Sequence, residues 1–262
     1  MLSRPRRATV TLKIRAICLA GLFVFCSARL TVGGNESEKV WCRPELAPAR
    51  RVEIAQQLQK ITGWKSLGFD ANGALHLDNS APVGGSETAR KLLADAVSGR
   101  RVLLLEDVSD SQDVVFCRVI EGRWKKAEPT DPPAFIIQID FADFTRITGD
   151  RAALEAFNVG WGVLHEIAHV VNDAEDTETE GDAGECERMI NLMRRECGLA
   201  ERAEYHFKFL QGATDSPFMT RLVRMPFERK SPDSDKRRRY WLIWDAALVG
   251  GIYEQKQLAV RR

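Results

Sequence analysis

Two histidines four residues apart, His165 and His169, flank Glu166 in the stretch GWGVLHEIAHVVND (160–173). On a helix, residues i and i+4 stand one above the other on the same face. That spacing lets both imidazoles take adjacent corners of a zinc tetrahedron, at about 2.0–2.1 Å each. Glu166 points roughly 100° away around the helix. There it stays clear of the metal and can move a proton from a metal-activated water to a leaving amine. The bland alternative is a buried helix that carries two partnered histidines. Yet histidines and a glutamate in an otherwise apolar helix are expensive unless something satisfies them. Gly160 and Gly162 cost about 1 kcal/mol each in helix propensity, which points to close packing just before the motif.

HEIAH on a long apolar helix, preceded by the strand-like run 135–144, resembles the zincin metallopeptidases. The later GECERMINLMRRECGLAERAEY (184–205) resembles bacterial HExxH peptidase-like domains related to type III effector and toxin proteases. The resemblance covers roughly residues 135 to 207 and does not extend to residues 40–130. It implies a zincin-like fold with zinc held by His165 and His169, Glu166 as general base, and a protein or peptide substrate. It also implies an antiparallel edge strand to hold the substrate, for which 135–144 is the candidate.

Zinc needs a further protein ligand and keeps one corner for water, and the chain turns acidic after His169. In glutamate-type zincins that ligand is a glutamate on a second helix downstream. Glu187 stands at that distance and Glu185 is its near neighbour. The alternative pattern HExxHxxGxxH/D would use Glu175, with Asn172 in place of glycine at the left-handed turn. His206 and His76 are the remaining imidazoles. Tyr205 or His206 could donate to a developing oxyanion. Asp176, Glu178, Glu180, Gly181 and Glu187 also have the spacing of a calcium-binding EF-hand loop, although glutamates stand where that loop prefers Asp or Asn. A zincin-like protein that binds without cutting is the alternative function.

Other elements must position these residues. Ala49 to Ile61 has helical apolar spacing and stops before Gly63. Leu67 to Leu77 reads as a hairpin turning at Asn72-Gly73. Ser86 opens a helix that runs to Gly99. VLLLEDV and DVVFCRVI are strand-like, and FIIQIDFADF (135–144) alternates as a strand does. Asp150 to Asn172 is the longest helical segment and is apolar nearly all round, hence buried. Helices are also expected at Glu185–Cys197 and Tyr240–Gly250. Together these predict an α+β fold, with a small mixed or antiparallel sheet packed on the helix of residues 150–172. The expected division is an N-terminal α+β part, 41–134, and a catalytic part, 135–262.

The 262 residues suit one generous domain or two small ones. Arg4, Arg6, Arg7, Lys13 and Arg15 lead into the apolar run 16–26, which has the size of a signal-peptide core, with Ser27-Ala28 as small residues at a cleavage point. Residues 1–28 are thus expected to be an export signal or an uncleaved anchor, and 29–40 a linker. The protein is then secreted or periplasmic, touching membrane only through that segment. Losing those five of the 38 basic residues against 37 acidic ones leaves a mildly acidic protein, with no electrostatic case for nucleic acid. Cys42, Cys117, Cys186 and Cys197 permit two disulfides or four free thiols, but Cys186 and Cys197 would lie roughly 16 Å apart on one helix and cannot join each other.

Overall fold

A computed structural model of the protein describes residues 39–78, 80–122, 131–210, 221–231 and 234–249. The expected export segment, 1–28, and the linker up to residue 38 lie outside them. A short strand, Val40–Cys42 (β1), leads to a helix, Pro48–Thr62 (α1). Pro48 suits the first turn, where its missing N–H has no partner to lose, and Gly63 ends the helix at φ 75°. Gly68–Phe69 (β2) and Leu75–His76 (β3) pair antiparallel around the Asn72-Gly73 turn, with Asp70 accepting from the N–H groups of Asn72 and Ala74. Glu87–Ser98 (α2) starts at Ser86, whose hydroxyl accepts from the Ala89 N–H. Val102–Asp107 (β4), Cys117–Gly122 (β5) and Ala134–Ile139 (β6) follow, then Phe141–Thr145 (α3), Thr148–Gly149 (β7) and Arg151–Glu155 (α4). Two longer helices, Val159–Asn172 (α5) and Gly184–Glu196 (α6), precede the short strands Glu201–Arg202 (β8) and Lys208–Phe209 (β9). The long strands Leu222–Lys230 (β10) and Arg237–Asp245 (β11) lead to Ala246–Val249 (α7).

Two main sheets result. The first has the order β1-β4-β6-β5; its first three strands are parallel and β5 runs antiparallel at one edge. The second is antiparallel, with β7, β11, β10 and β8 in sequence and β9 also on β10. Helix α5 packs on α1, α2 and α6 and on strands β5 and β6. Its Trp161, Leu164, Ile167 and Ala168 are buried in the larger apolar core, beside Leu103, Leu105, Ile137 and Ile139 of the first sheet. A second cluster, around Phe116, Phe157, Phe227 and Trp244, seats the other sheet. The architecture is α+β. The segments 41–134 and 135–262 interleave, because β6 lies between β4 and β5.

Three expected elements differ. The run 135–144 is not an edge strand: it lies inside the sheet and ends at Ile139, where Asp140 caps α3 by accepting from Asp143 N–H. The expected helix 150–172 is two helices, because the Asn158 side chain accepts from the N–H groups of Gly160 and Trp161 and starts α5 afresh. Tyr240–Asp245 is strand rather than helix. Pairing with β10 buries Leu242 and Trp244 on one face, a period of two rather than 3.6. Cys42, Cys117, Cys186 and Cys197 are all free thiols. Among the described residues no helix is long and apolar enough to cross a membrane.

Candidate metal centre

Helix α5 can approach its neighbours closely because it lacks side chains where they touch. A Cβ on Gly160 would come within 2.7 Å of Gln57 Cβ, and one on Gly162 within 2.8 Å of Cys117 Sγ. The second contact draws edge strand β5 against α5, four residues before Glu166. Phe116, just before β5, holds φ 62°, a conformation that bulky side chains rarely adopt. The buried Asp143 carboxylate accepts its N–H at 3.0 Å and fixes it there. Strain of this kind gathers where a site must be shaped.

At its other end α5 stops at Asp173, left-handed at φ 52°. Arg101 caps this end through the carbonyl of Val170 and an ion pair with Asp173. The turn brings the Ala174 carbonyl to His169 Nδ1 at 2.6 Å. Two residues later it brings Asp176 back over the helix. Asp176 Oδ1 lies 3.2 Å from His165 Nε2, and Oδ2 lies 3.3 Å from His169 Nε2. Tyr205, its ring stacked along that of His165, donates its hydroxyl to Oδ2. Oδ1 is buried without a hydrogen-bond partner. His165, His169, Asp176 and Cys186 each offer a ligand atom, all within 4.8 Å of one another.

Both imidazoles are oriented from behind. His169 Nδ1 meets the Ala174 carbonyl, and His165 Nδ1 faces Glu187 Oε2 at 3.4 Å. With Nδ1 engaged, Nε2 is the free ligand atom on each ring, the usual arrangement behind metal-binding histidines. Glu187 is itself held by Arg194 and by Arg202, the latter at 3.1 Å.

Glu187 therefore supports His165 and is not one of the four donors. The other expected ligands stand elsewhere. Glu175 and Glu185 are exposed, and the Glu175 carbonyl accepts from Cys186 N–H. His76 pairs with Asp70, and His206 Nε2 faces the Thr177 carbonyl. The Tyr205 hydroxyl is committed to Asp176. No calcium loop assembles, because Asp176 faces two imidazoles and Glu187 two guanidinium groups. Asp176 and Cys186 were both visible in the sequence, one as a member of the acidic run and the other as a disulfide candidate. The nearest signal in the sequence was a left-handed turn expected at Asn172; the turn comes one residue later, at Asp173, and returns the chain to Asp176.

No protein-family model, no curated protein and no solved structure matches the chain. Its chemistry must be read from its own groups.

The four donors suit a transition metal. They combine two imidazoles, a carboxylate with an unpartnered buried oxygen, and a thiol. His165, Glu166, His169 and Asp176 all line a cleft of about 560 Å³, which β5 borders through Cys117, Arg118 and Val119. Edge strand β5, rather than the run 135–144, is thus the strand beside the site. Glu166 is 6 % exposed. Burial raises its pKa above the ordinary carboxylate value against the pull of the two imidazoles. Burial alone would lower the imidazoles, yet Asp176 outweighs it. His165 is held well above the usual histidine range, and His169 at about 10. Asp176 itself is pushed well below its ordinary value by the same partners, against the effect of burial.

These shifts give a direction for metal binding. A metal must displace protons from the imidazoles, so apparent affinity should rise with pH. It should still rise between pH 7 and 9, because His169 gives up its proton only near 10. An unperturbed histidine, at about 6.5, would level off below pH 8. Chelator competition across that range, with proton release measured calorimetrically in two buffers, checks both slope and sign.

Proposed function

We propose that this protein is a zinc-dependent hydrolase of peptide bonds, built on a zincin-like arrangement of an active-site helix beside an antiparallel edge strand. The observation that carries this reading is Asp176. It places one carboxylate oxygen against each of two Nε2 atoms, in a cleft that also holds Glu166. His165, His169 and Asp176 would hold the ion. In zincins, as in the resemblance noted above, two such histidines bind zinc, the following glutamate is the base and an edge strand holds the peptide.

A zinc ion so held supplies Lewis acidity to the scissile carbonyl and to the attacking water. The rest falls to the chain. Glu166, raised by burial, accepts a proton from that water and returns it to the leaving nitrogen as the carbon–nitrogen bond breaks. Among the described residues, strand β5 has one side free of sheet partners. An extended peptide can add to it by main-chain hydrogen bonds, which also explains how side chains of varied kind could be accepted. Arg202 and His206 also line the cleft, but Arg202 is bonded to Glu187 and His206 Nε2 faces the Thr177 carbonyl, so like the Tyr205 hydroxyl they are committed.

Metal analysis of the purified full chain is the primary test. The wild type should carry close to one zinc per chain, and Asp176→Ala should lose it. For Asp176→Asn the affinity loss should exceed about 100-fold, the upper range seen even for groups that merely support ligands. Glu175→Ala and Glu185→Ala should retain the metal. Wild-type protein should also cleave denatured casein or a mixed peptide library. A folded chain that takes up no metal would overturn the reading. Metal without cleavage would leave the alternative, a metal-holding binding protein.

A further inference from the structure

The hydrolytic reading uses three of the four donor atoms. The fourth, Cys186 Sγ, is fully buried in the first turn of α6 and donates to the His165 carbonyl at 3.4 Å. It does not line the cleft, whereas His165, Glu166, His169 and Asp176 do. The buried thiol therefore reaches the donor cluster from outside the cleft lining. We propose that Cys186, as the thiolate, is a fourth protein ligand of the metal, so that the ion sits among two nitrogens, one oxygen and one sulfur. This rests on the metal reading above and goes beyond it.

Two features of the fold support it. The loop carrying Asp176 is stapled to the start of α6 on both sides of that residue. Cys186 N–H donates to the Glu175 carbonyl at 3.1 Å. On the other side Gly184, at φ 79°, lies so close to Thr177 that a Cβ would come within 2.9 Å of its backbone nitrogen. Asp176 and Cys186 are thereby positioned as one unit, and whatever fixes one donor fixes the other. The second feature is charge. Two neutral imidazoles, a carboxylate and a thiolate balance a divalent ion, so the half-enclosed centre carries no net charge. With the thiol left protonated, the second positive charge would fall to Glu166, the group that must take up a proton.

The chemistry has consequences. A thiolate favours zinc, cobalt and cadmium over magnesium, calcium and manganese. It also donates charge to the ion and weakens its pull on water, which leaves a larger share of the proton transfer to Glu166. With Cys186 bound, four protein donors would fill the tetrahedron, so the attacking water would have to join as a fifth ligand from the cleft side.

Cobalt(II) substitution of the metal-free full chain is the test. Wild-type protein should develop an intense near-ultraviolet absorption from thiolate-to-cobalt charge transfer, together with visible bands. Cys186→Ser should lose the ultraviolet band while still binding cobalt, more weakly than the wild type. Cys117→Ser should keep the band, as should Cys42→Ser and Cys197→Ser. Cadmium NMR on the unaltered wild type supplies a second measurement that does not depend on a variant folding, since a sulfur donor moves the resonance strongly downfield. Cobalt bound with visible bands but no charge-transfer band, or a cadmium resonance typical of nitrogen and oxygen donors, would overturn the assignment of Cys186 while leaving His165, His169 and Asp176 in place. No cobalt binding at all would overturn both readings.

Discussion

Glu166→Gln should leave the zinc content of the protein unchanged and lower peptide hydrolysis by roughly 10²–10⁴-fold, the range that a positioned general base contributes. The two halves of that expectation have separate causes. Glu166 is not among the donor atoms, so the ion loses nothing when its charge is removed. The glutamine has nearly the same shape and fits the same space beside β5. What it lacks is a basic oxygen to accept the proton from water. The loss should fall on kcat, with KM changed little, because the group acts in the transition state and not in holding the peptide. The pH profile gives an independent check. Burial holds the carboxyl above its ordinary range, and only its ionised form can act, so kcat/KM should rise with pH through that elevated pKa. Glu166→Gln should abolish this limb. Hydrolysis that survives undiminished in Glu166→Gln, with zinc bound, would remove Glu166 from the mechanism.

Where local chemistry decides a conformation, the sequence is readable. Helix α1 lies between Pro48 and Gly63, the hairpin of β2 and β3 turns at Asn72-Gly73, and Ser86 caps α2, because each depends on a few neighbouring residues. The i, i+4 imidazoles are readable for the same reason. The misreadings have non-local causes. Tyr240 to Val249 has helix-compatible apolar content, but its first half becomes strand when β10 supplies a partner along its whole length. The run 135–144 alternates correctly as a strand, yet nothing local says that β5 will pair on its outer side and take the edge. The further ligand is the sharpest case. Glu187 has the sequence distance of a helix-borne ligand, and the structure does place it beside His165. It arrives, however, at Nδ1, behind the ring. The Nε2 side is reached by Asp176, because a left-handed residue at Asp173 turns the chain back early. Which side of an imidazole a carboxylate reaches depends on how α6 sits against α5, and spacing carries no such information.

The placement of Glu187 makes its replacement the second large effect expected. In Glu187→Ala two functions fail together. Arg194, 2 % exposed, lies against the Trp161 and Phe227 rings with its Nε bonded to the Ala156 carbonyl. Removing the carboxylate leaves this guanidinium uncompensated in an apolar setting, which costs about 3–5 kcal/mol. His165 also loses the group that orients Nδ1, which should weaken metal binding on the order of 10–100-fold. Chemical unfolding in the presence of chelator reads the first loss, and metal competition reads the second. Acid sensitivity carries the same signature. Arg194 and Arg202 hold the Glu187 carboxyl far below its usual range, against the opposing effect of burial. Its contribution to stability is therefore present above the ordinary carboxylate pKa and fades as pH falls toward the folded value. The metal-free wild type should lose stability on acidification below about pH 4.5, and Glu187→Gln should lose less over the same interval. The double variant Glu187→Gln/Arg194→Met separates the roles, because replacing both partners of a buried pair is far less damaging than stranding one. It should recover much of the stability lost in Glu187→Ala, while metal affinity stays reduced because His165 still lacks its carboxylate. Affinity restored along with stability would mean that Glu187 serves the fold alone, and that His165 needs no support to hold the ion.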